Sequence, residues 1–371
     1  MLTRRLFVLA PAAYVAGCGH RRSFGYDGYA FIANAEGQAV AVVDLNTFTL
    51  ARHVRLDAAP SAVIAPPGVP SVYALTPPTG SVHEIGVADL SVRRRVRASR
   101  GALSMRLAPG APAIWLLSRE PRELVRVGIA PLRVENRITL PYEPVDFDLA
   151  SDGRSAAVAF RDSGRFGLVD LQARSLQTFP LGHEPSLVRY RGDGRQILMA
   201  AAGEPLLSIA DGQSGRVIVH LPLAVEPRQL CFKSDGGQLF ITGEGMDAVV
   251  VVYPYSTEVA ETALAGRTPG VMAECASEDA DYLFVANPQS SEVTILDIET
   301  RRVIAVVAVG RNPAFITPTP DGRYVLVLNQ DSGDMAVIRL AAIAAKRDRS
   351  APLFTMVPVG SKPVGAAIRH A

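Results

Sequence analysis

A proline that opens a short apolar run recurs along this 371-residue chain at a nearly constant spacing. The recurrences are Pro60, Pro144, Pro185, Pro227, Pro269, Pro313 and Pro363. The steps between them are 84, 41, 42, 42, 44 and 50 residues, so the first step spans two units and the last contains an insertion near residues 341–353. Fixed periods near ~40 residues are typical of propellers and solenoids. The sequence therefore predicts one architecture built by repetition.

Each unit divides into four short runs with the composition of β-strands. The clearest unit reads LFVAN, EVTILDI, VIAVVAVG and PAFITPTPDG between residues 283 and 322. The runs are rich in β-branched residues and are bounded by turn signals such as Asp-Gly. Beyond the first 18 residues, only residues 341–347 suggest a turn or two of helix. Four antiparallel strands per unit, repeated around an axis, predict an all-β propeller.

The number of units gives the number of blades. Eight runs open a unit, and they begin near residues 29, 72, 114, 156, 197, 239, 283 and 325. The chain begins with such a run and ends with a proline-led run, so we expect the last strand to lie innermost in the blade formed by residues 29–57. Eight four-stranded blades closed by both chain ends are predicted, and seven blades remain the alternative if one unit is displaced.

The later units resemble the YVTN-repeat β-propeller family over roughly residues 29–371. The motif appears as LFVAN at 283–287 and VLVLN at 325–329, and it is accompanied by Gly-x-x-Pro at Gly266–Pro269 and Gly310–Pro313. The resemblance implies the fold more than any activity, because these residues shape turns and blade crossings. Units two and three depart from the pattern, with Thr76 and Ser118 where Asn is expected.

The amino terminus carries the features of an export leader. Residues 1–18 combine Arg4 and Arg5 with an apolar stretch that is too short to span a bilayer. The segment Val15–Cys18 resembles the lipobox of bacterial lipoproteins, which implies lipidation of Cys18; an ordinary leader is the alternative. Residues 19–28 are expected to be a tether and residues 29–371 the propeller. We expect a periplasmic lipoprotein of the cell envelope, with the outer membrane preferred.

Net charge, the cysteines and one arginine run limit the partners and the covalent links that we expect. The formal charge of +2 falls to about zero without Arg4 and Arg5, which argues against a nucleic-acid partner. Cys231 and Cys275 occupy equivalent places in successive units, so we expect free thiols instead of a disulfide. The dense arginine run at residues 93–97 is expected to be a solvated strand edge, with an anionic polymer or lipid head group as the alternative partner.

Candidate binding residues follow from the topology of a blade. The loop into each inner strand and the loop between the second and third strands must emerge on one face, which we call the upper rim. The binding candidates on this rim are Glu143, Arg161, His183, Glu184, Glu226, Arg267 and Arg311. Loops on a rigid scaffold commonly carry binding groups. We therefore expect a monomeric, non-catalytic module that recognises an envelope protein, peptide or glycan through the upper rim.

Two enzymatic or cofactor-carrying alternatives stay open. Lactonase propellers share this repeat style, and Glu143, Glu184, His183 and Arg267 are the residues such a hydrolase would use at the channel mouth. A haem-carrying propeller would use His183 as an axial ligand. No metal-ligand spacing and no Cys-x-x-Cys-His motif is present, and the single Trp115 argues against a quinone cofactor. No cofactor and no metal are expected.

Overall fold

The described chain forms a ring of eight four-stranded antiparallel sheets. The structure is a computed structural model, and it describes residues 25–161, 163–276, 280–344 and 351–370. The predicted leader, Cys18 and residues 19–24 of the predicted tether lie outside these residues. Part of the predicted helical stretch at 341–347 lies outside them as well.

The strands are numbered along the chain and grouped into blades, each numbered from its first strand. Blade 1 contains β1 (Gly28–Asn34), β2 (Ala39–Asp44) and β3 (Thr49–Arg55). Blade 2 contains β4 (Ala62–Ile64), β5 (Ser71–Thr76), β6 (Ser81–Gly86) and β7 (Val92–Arg97). Blade 3 contains β8 (Ala102–Leu107), β9 (Ala113–Ser118), β10 (Glu123–Ile129) and β11 (Leu132–Thr139). Blade 4 contains β12 (Pro144–Leu149), β13 (Ser155–Phe160), β14 (Arg165–Asp170) and β15 (Ser175–Pro180).

The second half repeats the same plan. Blade 5 contains β16 (Pro185–Tyr190), β17 (Gln196–Ala201), β18 (Leu206–Asp211) and β19 (Val217–Pro222). Blade 6 contains β20 (Glu226–Phe232), β21 (Leu239–Glu244), β22 (Ala248–Tyr253) and β23 (Glu258–Leu264). Blade 7 contains β24 (Met272–Ala276), β25 (Asp281–Asn287), β26 (Glu292–Asp297) and β27 (Val303–Ala308). Blade 8 contains β28 (Pro313–Pro318), β29 (Tyr324–Asn329), β30 (Asp334–Arg339) and β31 (Leu353–Pro358), with the short helix α1 (Ala341–Ala344) before β31.

The last strand closes the ring. Strand β32 (Pro363–His370) pairs antiparallel with β1, placing Ala366 opposite Ile32 and Ile368 opposite Ala30. The sheet order β3-β2-β1-β32 makes the carboxyl-terminal strand the innermost strand of blade 1. The predictions of eight blades and of closure by both chain ends are confirmed, and the seven-blade alternative is excluded.

Apolar packing between neighbouring blades forms the core. Eight clusters of buried side chains occur among the described residues, one at each interface between adjacent blades. The cluster between blades 8 and 1 joins Ile32 and Val43 to Leu326 and Val337, so the ring is packed all the way round. Each middle strand is buried on both faces, and this explains its nearly continuous apolar sequence.

Tight turns on the lower face, opposite the upper rim, need glycine. The predicted turn glycines all have a left-handed backbone, with φ between 65° and 74°; they are Gly68, Gly110, Gly153, Gly194, Gly236 and Gly322. Glycine adopts this conformation without steric cost. The conformation explains why a Gly-containing turn recurs with the period of the blades.

The two cysteines among the described residues, Cys231 and Cys275, are separate and free. Cys275 is buried and Cys231 is half-buried, and burial raises the pKa of each thiol to about 11. The expectation of free thiols is confirmed. No helix among the described residues is long and apolar enough to cross a bilayer.

Candidate functional site

The upper rim brings polar loops from all blades to one face. Hydrogen bonds between neighbouring loops show this shared face: Arg161 N donates to the Glu143 carbonyl, and Ala202 N donates to that of Glu184. The predicted rim residues occupy these loops or the first residues of inner strands. They are spread over blades 4 to 8, so the structure gathers them into several local groups instead of one centre.

Glu143 is the centre of the first group. Its Oε1 lies 3.0 Å from Arg119 Nε and 3.7 Å from Arg161 Nε. The carboxylate bridges the rims of blades 3 and 4, with both guanidinium groups about half exposed. Two of the predicted residues, Glu143 and Arg161, therefore meet, whereas Arg119 joins them from the neighbouring blade. Glu143 therefore links the upper-rim loops of blades 3 and 4 through two ion pairs.

His183 belongs to a second group inside blade 5. Its Nε2 lies 2.6 Å from Ser208 Oγ, and this hydroxyl lies 2.7 Å from His220 Nδ1. Ser208 and His220 are on the third and fourth strands, so the His183 side chain points away from the central channel. It is only 8% exposed. Burial, aided by His220, holds the pKa of His183 below its usual value.

Glu226 belongs to a third group at a groove between blades 6 and 7. Arg228 Nη2 lies 2.8 Å from Glu226 Oε1 and 3.1 Å from Glu244 Oε1. The groove has a volume of about 590 Å³, and Glu244, Met246 and Asp247 also line it. This volume lies within the ~300–1,000 Å³ range of small-molecule sites. The groove is therefore large enough to hold a small ligand or a side chain of a larger partner.

The other predicted residues are placed singly. Arg311 reaches the Asp331 carbonyl with Nη2 at 3.3 Å, and its amide donates to Ser332 Oγ. The side chains of Glu184 and Arg267 are exposed, and neither makes an ion pair with any described residue. Rim residues of both charge signs are therefore presented to solvent around the ring.

Blade 2 contains a polar cluster that sequence reasoning did not assemble. Asp57 Oδ1 accepts from His83 Nε2 at 2.9 Å and from Thr76 Oγ1 at 3.0 Å, and Asp57 Oδ2 accepts from Arg95 Nη1 at 3.0 Å. Burial lowers the pKa of His83 despite the adjacent carboxylate. The available signal was Thr76, the residue that replaces the expected Asn.

Blade 3 holds a second groove that was also missed. Arg97, Arg100, Pro121, Glu123 and Arg137 are among the residues that line a volume of about 480 Å³ on the upper rim. The buried Glu123 accepts from Arg137 Nη1 and, at 2.9 Å, from the Ser99 hydroxyl. Ser118, the second departure from the repeat, lies 2.7 Å from Ser99.

A third groove lies on the lower face between blades 4 and 5. It has a volume of about 550 Å³ and is lined in part by Asp152, Arg154, Asp193, Arg195 and Gln213. Among the described residues, no group of three or more His, Cys, Asp or Glu side chains is arranged to hold a metal ion.

Fold and rim define a closed eight-bladed β-propeller with a polar upper face. A family described as "Lactonase, 7-bladed beta-propeller" matches residues 210–346, less than half of the chain. No curated protein sequence matches the chain.

Solved structures are similar in fold. The structure "Dihydro-heme d1 dehydrogenase NirN in complex with DHE" aligns with a TM-score of 0.75 and 15% identity, covering 92% of this chain and 75% of that one. Apo AztD from Citrobacter koseri aligns with a TM-score of 0.69 and 12% identity, covering 92% and 97%. A functionally unknown protein from Desulfotomaculum acetoxidans aligns with a TM-score of 0.64 and 11% identity, and the alignment covers 92% of this chain and 99% of that one. At these low identities, the structural similarity establishes the propeller fold alone.

Proposed function

We propose that this protein is a non-catalytic recognition module of the cell envelope, which binds a protein, peptide or glycan through its upper rim. The observation that carries the proposal is the groove between blades 6 and 7, where exposed charges of both signs line about 590 Å³. Arg228, Glu226 and Glu244 form one connected ion-pair group there. Polar groups held on a rigid scaffold give selectivity with a small ordering cost on binding.

The cellular setting of the proposal comes from the amino-terminal sequence. A leader that ends in a lipobox supports export and lipidation at Cys18. An anchor at Cys18 would hold the propeller at a membrane surface on the periplasmic side, with the outer membrane preferred. Labelling cells with a radioactive fatty acid tests this setting: the chain should be labelled, and Cys18→Ala should not.

Photocrosslinking in cells tests recognition through the rim. The photoreactive residue p-benzoylphenylalanine is introduced at Glu244 on the upper rim, or at Gln213 in the lower-face groove as the matched control. Glu244 is 72% exposed, so the change does not disturb packing. We expect a discrete crosslinked adduct from position 244 and none from position 213. Adducts from position 213 alone would contradict the proposal.

The second candidate function is lactone hydrolysis, which the partial family match over residues 210–346 favours. Glu143, Glu184 and His183 would be its acid–base groups. Glu143 is paired with two arginines, and the buried His183 points away from the channel, so the three do not form one acid–base centre. We expect no lactonase activity in the purified protein. Activity that is lost in Glu143→Ala or Glu184→Ala would support the hydrolase.

The cofactor-carrying alternative is motivated by one of the similar structures, which is that of a dihydro-heme d1 dehydrogenase. The residue proposed as axial ligand does not fit that role. The His183 ring is buried inside blade 5, and its Nε2 is hydrogen-bonded to Ser208 Oγ. An ultraviolet–visible spectrum of the protein purified from its own cells tests this directly. A Soret band would contradict the binding proposal.

A further inference from the structure

Blades 2 and 3, where Thr76 and Ser118 stand in place of the motif Asn, bring three arginines to one groove of the upper rim. Arg97 is the last residue of β7, Arg100 lies in the loop that enters blade 3, and Arg137 reaches the same groove from the outer strand β11. Within the described residues, Arg97 and Arg100 have no carboxylate partner.

Arg137 is held in place by its neighbours. Its Nη1 donates to Glu123 Oε1, and its Nη2 donates to the Ala98 carbonyl at 2.7 Å. Glu123 is itself buried and accepts from the Ser99 hydroxyl. The guanidinium therefore has a fixed position before any ligand arrives, which lowers the cost of binding.

The charges of the groove do not cancel. Three guanidinium groups and one carboxylate, that of Glu123, give three minus one, or a net charge of +2. The single carboxylate is buried against Arg137 and Ser99, so it offers little repulsion to a ligand in the groove. Guanidinium groups bind phosphate and carboxylate oxygens in bidentate geometry.

We propose that this groove binds a phosphate monoester dianion. The inference rests on the proposed recognition role of the rim and names one ligand class for it. A phosphate monoester carries close to two negative charges at pH 7, which matches the net charge of the groove. The volume of about 480 Å³ accommodates a phosphate together with a sugar-sized group. The phosphate belongs either to a soluble monoester or to a lipid head group.

Calorimetric titration with glucose 6-phosphate tests the proposal on the purified protein. We expect saturable binding at pH 7.5 and about tenfold weaker binding in Arg97→Gln or Arg100→Gln, since each removes a charge-assisted contact. Arg133→Gln is the matched control. Arg133 is an exposed arginine at the other end of β11, outside the groove, and its loss should change the Kd less than about twofold at 0.1 M salt.

A matched ligand separates dianion recognition from general charge attraction. Glucose 6-sulfate has the same shape but one negative charge, so it should bind about tenfold more weakly at pH 7.5. Lowering the pH to 5.5 protonates the phosphate monoester and should weaken its binding, because its second pKa is about 6. Equal binding of the two sugars, an equal loss in Arg133→Gln, or no binding would overturn the proposal.

Vesicles identify the source of the phosphate. If phosphatidic acid vesicles compete with glucose 6-phosphate and phosphatidylcholine vesicles do not, the ligand is a lipid head group. If neither competes, it is a soluble monoester; both results require that glucose 6-phosphate itself binds. The titration is independent of the groove at Glu244, so photocrosslinks from position 244 without sugar-phosphate binding would overturn this inference and leave the proposed function standing.

Discussion

In blades 1, 7 and 8 an asparagine ends the second strand and lies against a glycine of the loop that enters the same blade. A Cβ atom on Gly266, Gly310 or Gly360 would lie within 2.8 Å of the Asn287, Asn329 or Asn34 side chain, respectively. Each asparagine is buried, and Asn287 Nδ2 donates to Thr294 Oγ1 at 2.8 Å. In these three blades the glycine of Gly-x-x-Pro and the strand-ending Asn are thus the two halves of one contact.

Replacing one half of that contact tests it. Gly266→Ala should lower the free energy of unfolding by about 2–3 kcal/mol, because φ is +93° and the new methyl meets Asn287. In the double variant with Asn287→Ala, the clash is removed. The combined loss in urea denaturation should then be smaller than the sum of the single losses by about 1 kcal/mol. Strict additivity would show that the two residues are not in contact.

His183 makes stability depend on pH. Its pKa is lowered by burial, so the folded protein takes up the proton at a lower pH than the unfolded chain, which does so near its ordinary value of about 6.5. Stability is therefore lost as the pH falls below that value. His183→Gln keeps a group that can donate to Ser208 and should reduce the fall in the urea midpoint between pH 7.5 and pH 5.5; the rest of the fall includes the contribution of His83, whose pKa is also lowered by burial.

The groups that face His183 define the controls. His220 lies on the other side of Ser208 and lowers the pKa of His183. The Glu204 carboxylate, in the neighbouring loop, raises that pKa. Glu204→Gln should leave most of the pH dependence in place, because burial is the larger cause. His53→Gln, on the exposed strand β3, controls for the loss of a histidine. If His183→Gln retains the full wild-type slope, another group is responsible.

At the scale of elements, blades 2 and 3 show how strand ends are satisfied without the Gly–Asn contact. Asp57–Thr76 and Ser99–Ser118 hydrogen bonds stand in the same place, at 3.0 Å and 2.7 Å. Both blades keep four antiparallel strands. Polar side chains there connect the loop, the second strand and the outer strands of one blade.

Asp57 should therefore contribute strongly to the stability of blade 2. Asp57→Ala removes the carboxylate that accepts hydrogen bonds from Thr76, Thr79 and the buried His83, so we expect a loss of about 2–4 kcal/mol in the free energy of unfolding. Asp89→Ala is the matched control, because Asp89 pairs with Arg93 on the exposed edge of the same blade. The control should unfold at the wild-type urea concentration. Equal effects of the two changes would contradict this account.

The candidate site was only partly predictable from sequence. Topology places loops on the correct face, and it brings Glu143 and Arg161 together as rim residues. It does not give side-chain direction, so the orientation of His183 toward Ser208, away from the central channel, was not foreseen. The groove at Arg100 was missed because its members come from three separate runs of the chain.

At the scale of the whole molecule, the fold was predictable because repetition multiplies a weak signal. One strand of five or six residues is ambiguous, but eight copies of a four-strand unit, six of them with a glycine turn at the equivalent place, are not. The helix α1 and its flanking insertion interrupt the eighth unit without changing the count, since β31 follows and pairs with β30. Closure by β32 was predictable because the first unit lacks an inner strand of its own and the chain ends with one unpaired proline-led run.

Ring closure is the claim on which the rim and its grooves depend. Hydrogen exchange of the native full-length protein, read by mass spectrometry, measures it most directly. The peptide covering Pro363–His370 should exchange as slowly as the one covering Pro185–Tyr190, the inner strand of blade 5, because both are paired along their length. Exchange of residues 363–370 within seconds, while residues 185–190 stay protected, would mean that the ring is open.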